Sequence, residues 1–578
     1  MTFAFLKSGL IMRFPWIYLV SIFHCGIAHA QLFQPPDYPR TEFGNPLSIP
    51  ISLAANFGEL RSNHFHMGLD IRTAHRENLP VHAAADGFIC RVNIEPFGFG
   101  QAVYIRHPAG FTTVYAHLNA FTPALEDYVR KKQYALERWA ISMDIPPGLF
   151  PVKKGDLIAY SGSTGGSEGP HLHFEIRDFS GDMNFNPMLF GLPIADNTAP
   201  VFRRLAVYDR NQSIYEQSPV FFAVAGGGSH YSLPAQPLIT VHTANVGFGI
   251  SGFDTQTGSA NPNGIFQGIV FDNGRPVSGF RMDRISYNDT RGINAHIDYR
   301  TKAMGGPYYQ LLFALPGSFH SIYREDGDGL IRLDNEKIHE IRIELQDAYG
   351  NKSDLGFKVQ YQPGQEPESS FPGKMFYPSM IDGYETEDCA FYLGERSLYD
   401  SVHVSYQAEE GIGADLVSRL HHIGSTQVPL ADSITVRIRL TKPFSEKSHV
   451  LMEWMDKSEF DLKKVEWQGD WATTAFRSFG AFQLVLDTVP PEISFPGIAE
   501  NANLQRSSRI AVVVRDNYKK IKNFRALLDE HWLLFSNDKE KAFIYHFDEH
   551  CPPGRHELKI SVEDEAGNRA ESVLDFTR

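Results

Sequence analysis

Residues 169–178 read GPHLHFEIRD. Side chains at i, i+2 and i+4 of a β-strand share a face. As a strand, this stretch puts His171, His173 and Glu175 on one side and Leu172, Phe174 and Ile176 on the other. The apolar side asks for a core. The polar side spends two imidazoles and a carboxylate on neighbouring positions. That is either an ordinary polar face or a set of groups converging on something. An H-x-H pair alone does not decide, because His64 and His66 form another.

The surroundings of this strand are β-rich. From 51 to 195 the chain runs through short strand patterns broken by glycine turns, among them VHAAADGFICRV, QAVYIRHPAG, TTVYAHL and DLIAYSG. One segment has a different period. In TPALEDYVRKKQYALERWAISM, Thr122 suits an N-cap, Pro123 the first helical position, and Glu126 and Asp127 the first turn. Leu125, Tyr128, Val129, Leu136, Trp139 and Met143 follow helical spacing, and Pro146-Pro147-Gly148 stops it. The spacing predicts one amphipathic helix over 123–143 inserted into an otherwise β domain.

The C-terminal two-thirds hold an internal repeat. HEIRIELQDAYGN starts at His339 and HELKISVEDEAGN at His556, each an alternating strand followed by an Asp-x-x-Gly-Asn turn. The openings NTAP at Asn197 and DTVPP at Asp487 also match. These units read as immunoglobulin-like β-sandwiches over 196–362 and 487–578, flanking a β-rich domain over 363–486. Asp-x-x-Gly-Asn is a common corner signal and by itself carries no chemistry. The expected fold class is therefore mainly β: a sheet domain with one inserted helix, then immunoglobulin-like β-sandwich modules.

The 578 residues are 42% hydrophobic and carry a formal net charge of −14. That charge argues against a general nucleic-acid binder. Residues 1–30 have the plan of a cleavable signal peptide. Lys7 and Arg13 are followed by an apolar run from Trp16 to Phe23, and Ala28-His29-Ala30 precedes Gln31. No later segment approaches a membrane span, so the expectation is an exported chain destined for the periplasm, cell surface or medium. Residues 31–50 are proline-rich and expected to be extended. Past residue 30 only Cys90, Cys389 and Cys551 remain, too scattered for a disulfide framework or a cysteine zinc site.

Upstream of the opening strand, NHFHMGLDI places His66 and Asp70 in an H-x-G-x-D arrangement, and VYAHL places His117 between them and His173. A catalytic zinc takes three protein ligands from histidine and carboxylate and keeps one position for water. His66, Asp70 and His173 would supply nitrogen, oxygen and nitrogen. No H-E-x-x-H helix exists to bring the usual glutamate base, which leaves His117 and His171 for proton transfer and charge stabilisation.

Taken in order, H-x-x-x-D, Y-x-H-L and G-S-T-G-x-S-x-G-P-H-L-H-F-E resemble the M23 family of zinc metallopeptidases, the lysostaphin or LytM type. The resemblance covers 51–190. It implies a compact antiparallel sheet with a groove and an activity on the peptides of bacterial cell-wall peptidoglycan. It implies that His66, Asp70 and His173 bind zinc and that His117 and His171 act on the water and the tetrahedral intermediate. The insertion at 119–151, with its helix, departs from the family and is expected to border the groove, so substrate choice does not carry over.

Blander readings stand beside these. His64 is expected to be a surface or supporting residue, and His82 and His107 structural. Glu175 either orients a histidine or merely ends a strand face. The glycines at 162, 165, 166 and 169 lack a P-loop lysine and shape a turning loop instead. Asp326-Gly-Asp-Gly lacks the closing glutamate of a calcium loop and reads as a turn. The alternatives for the whole chain are a non-catalytic wall-binding or hydrolase-activating protein, and a peptidase acting on proteins. The sandwich modules are candidate surfaces for protein partners.

Overall fold

The computed structural model describes residues 32–578 apart from 36, 320, 334–335, 365–369, 412–414, 442–446 and 458. The expected signal peptide lies outside the described residues. No described helix is long and apolar enough to cross a membrane.

The site-bearing domain is built from β1 (Leu53–Ala55), β2 (Leu69–Arg72), β3 (Gly87–Ile94), β4 (Gln101–Arg106), β5 (Phe111–Ala116), α1 (Pro123–Leu136), β6 (Ile141–Asp144) and β7 (His171–Asp178). These strands form one antiparallel sheet in the order β1-β2-β7-β5-β4-β3-β6. The opening stretch is thus the central strand β7. Leu172, Phe174 and Ile176 are fully buried and face the core, with Phe174 packed edge-on against Tyr115. A second, three-stranded sheet of Pro80–His82, Leu157–Ser161 and Leu118–Phe121 lies in the same domain.

The helix expected over 123–143 stops at Leu136. Glu137 enters the left-handed region (φ 49°, ψ 47°), where its N–H reaches the carbonyls of Gln133 and Tyr134. Thr122 makes no side-chain cap hydrogen bond. Residues Ile141–Asp144 pair instead with Ile94–Arg91 of β3, so the apolar spacing at Trp139 and Met143 belongs to an edge strand and its approach. A ladder partner for the backbone outweighs a weak helical pattern, and Leu136 is left 57% exposed. The helix does not border the groove. It faces the last module, with Tyr134 stacked on His550 at 3.8 Å and Arg130 Nη1 3.5 Å from Asp548 Oδ2.

The N-terminal segment packs behind the domain. Phe43 is buried against His107, Phe111 and Phe190. His107 Nδ1 donates to Asp86 O (2.8 Å) and its Nε2 lies 2.8 Å from Thr113 Oγ1, and His82 Nδ1 donates to Gly155 O (2.9 Å). Both are structural, as expected.

The sheet does not end where the domain was expected to. β8 (Met183–Phe185) pairs with β7 and, on its other side, with β9 (Arg284–Ser286) from the following module. Beyond it, residues 374–486 form two five-stranded sheets, and the last 90 residues a three-stranded and a five-stranded sheet. The repeated strands 338–346 and 555–564 each turn back on a partner, 352–361 and 569–577. Cys90, Cys389 and Cys551 are all free. Asp326 and Asp328 pair with Arg275 and Arg332, which satisfies that turn without a cation.

Candidate metal centre and groove

Strand register assembles the site. His173 of β7 lies opposite Asp70 of β2 and opposite Ala116 of β5. His117 immediately follows Ala116, and His66 leads into β2 across a tight approach at Gly68. A Cβ at residue 68 would sit 2.5 Å from Phe174 O and 2.8 Å from Glu175 Cγ, so H-x-G-x-D needs its glycine.

Three atoms converge. His66 Nε2 is 3.0 Å from Asp70 Oδ1 and 3.1 Å from His173 Nδ1, and His173 Nδ1 is 2.9 Å from Asp70 Oδ1. The outer edges of both rings are already engaged. His66 Nδ1 donates to Asn56 O at 2.7 Å, and His173 Nε2 donates to Glu175 Oε1 at 2.9 Å. In those tautomers the inner nitrogens present lone pairs to each other and to a carboxylate. Three acceptors facing one point call for a cation, and this donor set can hold a metal ion. The field says the same: burial works against charge on His173, but Asp70 and Glu175 hold it up at about 9. The same burial opposes charge on Asp70, yet His66, His171 and His173 keep its carboxyl well below the usual range.

Glu175 supports the site rather than ending a strand face. It is fully buried, and its Oε2 accepts from Arg177 Nε (2.6 Å) and Asn184 Nδ2 (2.9 Å). Burial raises its pKa, but Arg177 and His173 outweigh that and bring it down to about 2. Arg177 in turn lies over the rings of Phe99, Tyr104 and Tyr287, 4.9 Å from the last. Arg177 and Asn184 were not among the sequence candidates. The alternation that linked His171, His173 and Glu175 extends one step further, to Arg177, and was the available signal.

His117 and His171 stand beside the three-atom cluster, ring centroids 4.8 Å apart. His117 adopts positive φ (62°), which aims its ring inward from the strand end, and its Nδ1 donates to Thr164 O at 2.9 Å. Burial, His173 and His171 together lower its pKa to about 3, so it is a neutral acceptor at ordinary pH. His171 Nδ1 donates to Gly169 O at 2.8 Å, and its Nε2 lies 3.4 Å from Asp70 Oδ1. His64 is exposed, bonded to Ser62 O, and takes no part in the cluster.

The five groups line a cavity of about 1190 Å³. Arg61, Phe99, Glu168 and Tyr287 are among its walls. Neither residues 32–50 nor α1 contribute to its lining. Tyr287 comes from the following module, whose Thr290 also accepts from Phe65 N at 3.0 Å.

Residues 64–134 and 150–187 match the model of peptidase family M23, and residues 374–487 match a Zu5-like domain. The gap in the first match, 135–149, is the end of the helix and strand β6. DD-carboxypeptidase/endopeptidase Mpg of Neisseria meningitidis is 34% identical over 139 residues, which are 24% of this chain and 26% of that protein. Peptidoglycan DD-endopeptidase ShyB of Vibrio cholerae is 32% identical over 111 residues, 19% of this chain and 20% of that protein. The chain thus spans about a quarter of the length of the curated relatives it matches. The catalytic domain of lysostaphin from Staphylococcus simulans is 24% identical, with 23% of this chain and 87% of that chain covered and a TM-score of 0.18. The likeness to peptidase family M23 lies in residues 64–134 and 150–187, the part of the chain that carries the site.

Proposed function

We propose that the protein is an exported zinc metalloendopeptidase that hydrolyses peptide bonds of bacterial cell-wall peptidoglycan. The observation that carries this reading is the convergence of His66 Nε2, Asp70 Oδ1 and His173 Nδ1, three acceptor atoms within 2.9–3.1 Å of one another, at the wall of a groove. The M23 match and the peptidoglycan-directed names of the relatives support the substrate class.

His66, Asp70 and His173 would hold the ion. When bound, zinc acidifies its water and polarises the scissile carbonyl. The remaining steps belong to side chains. His117, neutral and fixed through Thr164 O, accepts the proton released from the attacking water at its Nε2 and later delivers it to the leaving amine. His171, held by Gly169 O beside the same carboxylate, is placed to stabilise the carbonyl oxygen as charge develops. Glu175 keeps His173 in the tautomer that turns Nδ1 inward.

The test is incubation of the chain from residue 31 onward with purified peptidoglycan, with and without chelator, and mass spectrometry of what is released. Chelator-sensitive peptide fragments are expected, and their masses name the bond. No fragments and no bound zinc would favour the non-catalytic binding reading, and zinc bound without fragments a blocked groove or a different substrate.

A further inference from the structure

The Asp-x-x-Gly-Asn turns of the internal repeat do more than turn a corner. In the first module Asp347 of that motif lies with Asp196 and Asp254, one carboxylate oxygen of each within 4.8 Å of the others. In the last module Asp564 lies in the same way with Asp487 and Asp516. The two trios use equivalent positions: the residue opening the module, a residue after an early strand, and the first residue of the repeated motif. Equivalent members of the two trios lie more than two hundred residues apart along the chain.

Both trios are wired alike. Asp347 Oδ1 accepts from Tyr349 N (2.9 Å) and Asn351 N (2.8 Å), and Asp564 Oδ1 from Gly567 N (2.7 Å) and Asn568 N (2.8 Å). The motif asparagine reaches back to the module's first residue, Asn351 Nδ2 to Asp196 O at 3.4 Å and Asn568 Nδ2 to Asp487 O at 3.0 Å. The third member differs from these two. Asp254 is 3% exposed, and its Oδ1 is buried without any hydrogen-bond partner. Oδ1 of Asp516 is likewise buried without one. Among the described residues, none of the six carboxylates has a lysine, arginine or histidine at ion-pair distance.

A buried carboxylate oxygen with no donor costs several kcal/mol unless it is neutralised or bound. Here the same orphan recurs at the same place in two modules, each beside two more carboxylates. We infer that each trio is a binding site for a hard divalent cation, calcium, with Asp254 Oδ1 and Asp516 Oδ1 as direct ligands. Calcium takes six to eight oxygens at about 2.3–2.6 Å and accepts carboxylates alongside backbone carbonyls and water, which suits sites of only three acidic side chains. The fields agree with the geometry. Burial, then Asp347 and Asp196, push Asp254 up to about 8, and burial, then Asp487 and Asp564, raise Asp516. Asp196 and Asp487 lie on the segments that lead into their modules. A bound ion would therefore fasten each module to the chain that precedes it. This inference does not depend on the peptidase reading.

The experiment is equilibrium dialysis of radioactive calcium against the zinc-saturated full chain, paired with calorimetric unfolding with and without 1 mM calcium. Two ions per chain are expected for the wild type, one each for Asp254→Asn and Asp516→Asn, and none for the double variant. In calcium-free buffer Asp254→Asn should be about as stable as the wild type, because it keeps the shape of the site and adds no charge, while losing the gain that calcium confers. A purely structural aspartate predicts the opposite: equal loss of stability with and without calcium. Fewer than two ions on the wild type, or binding that survives both substitutions, would overturn the assignment. So would an identical stabilisation by magnesium, which would mark the effect as general charge screening. The wild-type stoichiometry stands as a test even if a variant fails to fold.

Discussion

Glu175 is a residue whose removal separates holding a metal from holding a fold. It accepts from His173, Arg177 and Asn184 with no exposure to solvent. Glu175→Ala leaves a buried guanidinium unpaired, so a stability loss of about 3–5 kcal/mol is expected in urea unfolding. Glu175→Gln keeps the shape and should fold far better, yet weaken zinc roughly 10–100-fold in a chelator competition assay, because His173 loses its anionic anchor. By contrast, His117→Ala and His171→Ala should keep zinc and lose on the order of 10²–10⁴ in kcat. Loss of zinc in either would reassign it as a ligand. The sequence made much of this site readable, because ligation and proton transfer demand particular residue types at fixed strand spacing. It did not disclose the left-handed backbone of His117, which depends on how the chain leaves β5. Nor did it disclose the roof over Arg177, since Tyr287 is over a hundred residues away and has no local signal tying it to the groove.

Among elements, strands with strict alternation were legible and the helix end was not. The repeated strands 338–346 and 555–564 show a period of two with one buried face, whereas β7 alternates in residue type but is buried on both faces from Leu172 to Arg177. The stretch 137–144 fits helical spacing almost as well, and only the free edge of β3 decides it. An element-scale consequence concerns strand Leu420–Ile423 in the middle module. His421 there is fully buried, its Nδ1 shared with Tyr406 Oη at 3.0 Å and its Nε2 without a partner. Burial is the main reason its pKa falls from 6.5 to about 4. The folded state therefore prefers the neutral ring. The stability it contributes is whole above pH 6.5 and is lost as pH falls toward 4, by on the order of 2–3 kcal/mol. Calorimetry between pH 7 and 4.5 should show this loss in the wild type and a flatter profile in His421→Asn.

At the scale of the whole molecule, the chain's end returns to its beginning. Asp538 Oδ1 accepts from Gly165 N at 2.8 Å, Lys539 N donates to Pro96 O at 2.8 Å, and Lys539 Nζ reaches Ser167 O at 2.8 Å. These contacts grip both loops that flank the groove, 96–100 and 164–169. Removing residues 487–578 should raise amide hydrogen exchange in these two loops while leaving β2 and β7 protected, read by mass spectrometry. Unchanged exchange would mean that the contact holds nothing in place.

That contact also has a consequence in time. The ribosome makes the candidate ligands His66, Asp70 and His173 first, the Tyr287 wall some hundred residues later, and Asp538 and Lys539, which touch the rim, after that. A chain made only that far thus has the candidate ligands but not the finished groove. The rim of the groove takes its final contacts only when residues 538–539 have been made and have folded back onto it, so the site is assembled from parts that are synthesised far apart in time.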